Sequence, residues 1–409
     1  MQLLSNIRKI LQNAIYGPIL LVLSSVCAVI ILSELMNLEF GSFYETLIFL
    51  IAYFLFLEIL FHFIYYFLRR RFYFAPPKVK FEKLHIEPHP YIPYIFKKHA
   101  EGPPSRLSNY PLHYGKYTTA KLKTNNFNFF NGPNGDRDIS VPKPNGEIRI
   151  NCVGASTTQN YITHEGKNHS YPLELEKILK KNISEKIVVN NCGQGGYNSA
   201  DILVRFLLQT LDSDPDMVLI YHGHADIKSY LTEDFKNDYS HSRKNLSEVY
   251  GKLKMASKIP LMPLSFLNFL INHWFPYNTR QSLIEIIHKK EINLDLDYNS
   301  GLKIYERNLQ YIIDICKARN IKIILSTFCH ILHSEVKEKK LFKIYSDIMD
   351  KENHVMIDLA KKNNIPLVDN AKLVPSDEKL FVDTIHFSHL GMIKLAENFA
   401  NEIKKHIKL

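Results

Sequence analysis

Ser156 is far in the chain from Asp383 and His386, and together the three have the chemistry of acyl transfer. Ser156 follows Gly154-Ala155 at the end of an apolar run, in a tight turn that exposes a hydroxyl at the start of a helix. Asp383 and His386 stand three residues apart in VDTIHFSHLG (382–391), just before the last helical stretch. A serine hydroxyl is a poor nucleophile until a base takes its proton, and an imidazole does this best when a carboxylate fixes its tautomer. The oxyanion then needs donors. NCGQGGYNS (191–199) is a glycine-rich turn whose amides can point at an anion. Each piece alone has a plainer reading. A serine before a helix is a common N-cap, glycines serve strand-to-helix turns, and an Asp-His pair can be a structural hydrogen bond. Their order along one sheet edge is what points to catalysis.

That edge follows from the pattern of the second half. Apolar runs at 148–154, 186–193, 216–223, 321–328 and 365–371 predict buried parallel strands. Amphipathic stretches at 170–182, 199–211, 301–320, about 340–363 and about 389–407 predict the helices between and after them. Five such units make a three-layer, doubly wound α/β domain, in which function gathers at the carboxyl ends of the strands. Those ends read GAST (154–157), NCGQGGYNS, YHGHAD (221–226) and VDTIHFSHLG.

Through these four segments and their spacing, the sequence resembles the SGNH/GDSL hydrolase superfamily over about residues 146–405. The resemblance implies a flavodoxin-like parallel sheet of SGNH type, no cofactor and a catalytic triad. Gly154-Ala155-Ser156 stands for the family's G-D-S and implies Ser156 as nucleophile. Asn191, Gly193 and Gly196 match N-x-G-x-x-G, implying the Gly196 and Ser156 amides as oxyanion donors. Asp383 and His386 match D-x-x-H, with Ser388 and Gly391 fitting the helix start that follows. There are two departures: Ala155 replaces the Asp of G-D-S, which is not a triad member, and, more seriously, the third motif, G-x-N-D, is present here as Gly223-His224-Ala225-Asp226. The asparagine that completes the oxyanion hole is absent, and losing one such donor costs about 3–4 kcal/mol, or ~100–1000-fold in rate. His224 is a candidate replacement.

His222 and His224, with Asp226, His386 and His389, also suggest a metal site, since residues two apart share a strand face. No sustained Cys/His ligand spacing accompanies them, so no metal is expected.

Upstream, 11–33 and 46–68 are apolar and of membrane-spanning length, and predict a two-helix hairpin within residues 1–70. Glu58 and His62, four apart in the second span, can pair. Arg8 and Lys9 precede the first span and Arg69, Arg70 and Arg71 follow the second, while the loop between carries only acidic charges. The positive-inside rule therefore predicts a multi-pass protein, of bacterial inner-membrane type, with its C-terminal domain in the cytoplasm; periplasmic placement is the alternative. Residues 71–145 are basic, aromatic and Pro-rich, and read as a connector that packs on the domain, with 128–138 a turn flanked by short strands. The domain itself is expected at 146–409, with an insertion at 227–300.

Composition excludes a disordered or collagen-like chain: 46% of 409 residues are hydrophobic, with 16 Gly and 19 Pro. The net charge of +10 is assigned to the juxtamembrane collar and Lys-rich helix faces, where lipid headgroups are the partner; no nucleic-acid motif appears. The expected function is a membrane-anchored serine esterase acting on an acyl or acetyl ester of a lipid or glycan. An O-acyltransferase using a glycan acceptor and a non-catalytic scaffold with a degenerate site are the alternatives. The sequence does not specify the oligomeric state.

Overall fold

The computed structural model describes residues 43–69, 86–87, 89–101, 123–160, 163–164, 167–243, 292–334 and 339–407. The expected first span (11–33) and most of the insertion (227–300) lie outside the described residues. What is described falls into two units.

The first unit is represented by helix α1 (Phe43–Arg69), whose 27 residues extend ~40 Å at 1.5 Å each. Its window Ile51–Leu68 has a mean hydropathy of 1.9 and no residue buried within the protein. It is long and apolar enough to cross a hydrocarbon core of ~30 Å. Glu58 and His62 pair along it at 3.3 Å, as their spacing predicts.

The second unit is the α/β domain. It opens with a short antiparallel hairpin, β1 (Ile86–Glu87) and β2 (Ile95–Phe96). Strand β3 (Ile148–Gly154) leads into α2 (Ser156–Gln159). A second hairpin, β4 (Thr163–His164) and β5 (Lys167–Asn168), precedes α3 (Tyr171–Asn182). Then come β6 (Ile187–Asn191) and α4 (Ser199–Arg205), which runs on through a π-helical turn at Phe206–Thr210. After β7 (Met217–Tyr221) follow α5 (Ile227–Tyr230), α6 (Asn299–Ala318), β8 (Lys322–Ser326) and α7 (Lys339–Asn363). The chain closes with β9 (Leu367–Val368), α8 (Asn370–Leu373) and α9 (His389–Ile403).

The five main strands pair in parallel in the order β6-β3-β7-β8-β9. Numbered among themselves, that is 2-1-3-4-5, the doubly wound order with its switch point between β3 and β7. Right-handed crossovers put α3 on one face and α4, α6 and α7 on the other. In keeping with this, α3 packs on α9, and α6 lies between α4 and α7. Both faces of the sheet are covered, so β7 is apolar throughout its first four residues, and the polar Arg149 and Asn151 that alternate along β3 are themselves buried. Every residue of β7 is buried, and Ile150 and Cys152 of β3 are fully so. Each fully buried aliphatic side chain contributes ~1.5–3 kcal/mol, so the sheet is a rigid base for the loops at its ends.

The described part of the expected connector is built into this domain. Phe96, Phe129 and Phe130 are buried, and the Phe96 and Phe130 rings meet edge to face at 5.0 Å. Phe130 N donates to Asn191 O at 3.1 Å, and a buried amide chain runs from Asn131 to Asn190 to Asn151, each step 2.7 Å. Arg137 grips Glu176 of α3 with both ends of its guanidinium. The turn in 128–138 is closed by a single bridge, Asn131 to Asp136, with no strands flanking it, because side-chain amides take the hydrogen bonds that a ladder would use. The four described cysteines, Cys152, Cys192, Cys316 and Cys329, are buried and free.

Candidate active site

Ser156 is the first residue of α2, directly beyond the carboxyl end of β3 at the switch point. Close packing holds the turn there: a Cβ on Gly154 would meet Thr158 Oγ1 and Tyr221 O at 2.2 Å. The loop before α9 reaches Ser156 from the far end of the sheet. His386 Nε2 lies 2.9 Å from Ser156 Oγ, and His386 Nδ1 lies 2.8 Å from Asp383 Oδ2. The other Asp383 oxygen accepts the Ile385 and His386 amides at 2.8 and 2.7 Å, so the carboxylate is held by the backbone as well as by the ring. Ser388 caps α9 by accepting from Gly391 N at 3.3 Å and donates to Lys379 O, which anchors the loop. Ser156, Asp383 and His386 are all half-buried, within reach of a substrate.

Burial disfavours charge on both partners, but their mutual attraction and hydrogen bonds outweigh it. The net effect holds Asp383 below the usual carboxylate range and His386 above the usual imidazole value. The pair is thus built to accept a proton at Nε2 and stabilise the resulting imidazolium.

The glycine-rich loop 193–196 is held on every side. Gly193 N donates to Asn191 Oδ1 at 3.1 Å, Gln194 N to Gly154 O at 3.1 Å and Gly195 N to Gln159 Oε1 at 2.6 Å. Tyr94 donates to Gly195 O, and Arg243 donates to Gly196 O at 2.8 Å. Gly196 has φ +74°, a left-handed conformation that glycine adopts freely. Among the described residues, neither the Ser156 nor the Gly196 amide donates to a protein acceptor.

The third strand-end segment differs from the strand reading. β7 stops at Tyr221, so His222 and His224 lie in a loop and do not share a face. His222 is fully buried with Nε2 2.7 Å from Asp226 Oδ2, and Asp226 also accepts Ser199 N and Oγ at the start of α4. Asp226 thereby ties this loop to the helix that follows the glycine turn. Gly223 sits against the Phe328 ring, where a Cβ would lie 2.7 Å from Cγ. His224 has φ +67° and is half-buried. Burial first, then the positive charge of His386, push its pKa down to about 4, so at neutral pH it is an uncharged imidazole. Ala225 carries no side chain able to donate.

Gln159, Tyr94, Arg243 and Glu352 also support the site, and no motif marks them. Glu352 alone left a signal: in α7 it shares the spacing of the buried Ile348, Met349, Met356 and Leu359. Among the described residues, the group spaced to hold a metal ion is His169, Glu174 and His389, whose ligand atoms lie within 4.8 Å of one another; of the sequence reading's candidates it includes only His389. Lys177 already bridges Glu174 at 2.9 Å.

The model of the GDSL-like Lipase/Acylhydrolase family matches residues 152–392, more than half of the chain. The chain belongs to this family. It is a hydrolase acting on ester bonds. Solved structures similar to this GDSL-like chain include a lipase/acylhydrolase from Enterococcus faecalis, 17% identical over 64% of this chain and 97% of that one, with a TM-score of 0.41. An acetylxylan esterase from Geobacillus stearothermophilus is 19% identical over 63% of this chain and 94% of that one, with a TM-score of 0.39. Comparison with curated proteins finds no match.

Proposed function

We propose that the chain is a membrane-anchored serine esterase in which Ser156, His386 and Asp383 form the triad. The observation that carries this reading is the continuous hydrogen-bonded line from Ser156 Oγ through His386 to Asp383, at 2.9 and 2.8 Å. Ser156 Oγ attacks the ester carbonyl carbon while His386 Nε2 takes its proton. The oxyanion is received by the Ser156 and Gly196 amides, which have no other acceptor among the described residues. His386 then gives the proton to the departing alcohol, leaving an acyl group on Ser156. Water attacks this acyl-enzyme with His386 again as base, and the carboxylic acid leaves. No step calls for a cofactor.

The apolar length of α1 supports an anchor, with 11–33 as a second span, and the basic residues that follow α1 favour the cytoplasmic side. An anchored esterase meets its substrate at the bilayer surface, so the substrate class is an acyl or acetyl ester of a lipid or a lipid-linked glycan. The test is ester hydrolysis by the purified protein in detergent. Turnover of p-nitrophenyl acetate that disappears in Ser156→Ala supports the reading, and full turnover in that variant refutes it.

A further inference from the structure

We infer that Tyr345 and Glu352 of helix α7 are positioning residues that hold His224 over the oxyanion site, where it stands in for the asparagine missing at Ala225. The inference rests on the serine esterase reading and adds a donor to it. Glu352 is 1% exposed, and both its oxygens are used. Oε2 accepts the His224 backbone amide at 2.9 Å and Oε1 accepts the Tyr230 hydroxyl at 2.9 Å. Tyr345 lies seven residues earlier, on the same face of α7. Its ring meets the His224 imidazole edge to face at 5.6 Å. One helix thus grips His224 by its backbone and by its ring.

The grip answers a local problem. At φ +67° His224 has a conformation that L side chains rarely adopt, and it persists only where the surroundings enforce it. The neighbouring backbone is already committed: Ala225 N donates to Gly223 O at 2.8 Å, Ile227 N to His224 O at 3.2 Å, and the Tyr305 hydroxyl holds His222 O at 2.9 Å. The imidazole is left as the one polar side chain of 223–225 able to donate. Tyr221 pairs with Gly154 across β7 and β3, so the loop that carries His224 three residues later lies at the same sheet edge as Ser156, two residues beyond Gly154. A neutral imidazole N–H there stabilises an oxyanion without adding a cation beside the imidazolium that forms on His386.

The experiment compares variants of the full-length protein on p-nitrophenyl acetate, with Ser156→Ala as the reference for the esterase reading itself. His224→Ala is expected to lower kcat by ~100-fold with KM within about twofold, the pattern of a donor used only in the transition state. Glu352→Ala should lower kcat in the same way, and Glu352→Gln, which keeps an acceptor for the His224 amide, should recover most of it. The double variant His224→Ala/Glu352→Ala should be no slower than His224→Ala alone, because Glu352 acts through His224. Should Glu352→Ala fail to fold, Tyr345→Leu, at a half-buried position, carries the same test of non-additivity against His224→Ala. A silent His224→Ala, or losses that multiply, overturns the inference while leaving Ser156 as nucleophile. Activity that survives Ser156→Ala overturns the esterase reading instead.

Discussion

Replacing Asp383 by Asn tests the triad through its hydrogen bonds. Asp383 Oδ1 accepts two backbone amides, from Ile385 and His386, and Oδ2 accepts His386 Nδ1–H. In the variant, the two amides demand an acceptor, so the carboxamide oxygen takes the Oδ1 position and the NH2 group turns to His386. The ring must then accept at Nδ1 and carry its proton on Nε2, which faces Ser156 Oγ at 2.9 Å. An imidazole in that tautomer donates to the serine and cannot take its proton. The expected loss in kcat is about 10⁴-fold, which at 1.36 kcal/mol per tenfold is roughly 5.4 kcal/mol. The fold should be retained, because the carboxamide keeps the bonds to both amides. The pH profile supplies a second reading. Asp383 holds the His386 pKa up, and the base works only when neutral, so wild-type activity falls as pH drops through that raised value. In Asp383→Asn the residual activity should keep its acid limb to lower pH. The assay is steady-state hydrolysis of p-nitrophenyl acetate from pH 5 to 9 in matched detergent. A variant within tenfold of wild type, with its acid limb unmoved, refutes the argument.

Three further outcomes follow from the same geometry. Gly193→Ala places a methyl 2.2 Å from Gln159 N and 2.7 Å from Gln159 Cα, which are backbone atoms that cannot yield. Thermal unfolding should show a loss of at least ~1–3 kcal/mol, with activity falling as the oxyanion loop shifts; an unchanged Tm contradicts the packing described. Ala225→Asn in the His224→Ala background should regain turnover, since it restores the family's donor at a half-exposed position, and kinetics showing no gain would place the missing donor elsewhere. Glu352 is pushed up to about 8, by burial first and by the charge of Asp226. The folded protein therefore keeps a proton that the unfolded chain releases above its ordinary 4.5, so this group's contribution is complete below that value and declines as pH rises toward 8. Glu352→Gln removes the decline, and its Tm relative to wild type should rise between pH 5 and pH 8; a constant difference counts against it.

The sheet and the grouping of Ser156, His386 and Asp383 were legible because they rest on strong local signals. Both-face burial writes continuous apolar runs, and all five expected strands form, most of them a residue or two shorter at their ends. Ser156, Asp383 and His386 come together because each follows a strand end or precedes a capped helix, features that sequence spacing preserves. Residues 89–101 and 123–145 were legible only as a connector. Backbone groups there are satisfied by side chains such as Thr124, Asn125 and Asn126, with no period for a pattern to reveal. The placement of His224 was not legible either. Strand alternation predicts that it shares a face with His222, but β7 ends one residue before His222, and His224 takes a left-handed turn whose amide is bound by Glu352 of α7, more than a hundred residues downstream.

The central claim is that Ser156 is a nucleophile activated by His386. Its most direct test is labelling of the full-length protein in native membranes with a fluorophosphonate probe, followed by peptide mass spectrometry. The predicted result is one adduct, on Ser156, lost in Ser156→Ala and strongly slowed in His386→Ala. A folded protein that takes up no label, or takes it up at another residue, would contradict it.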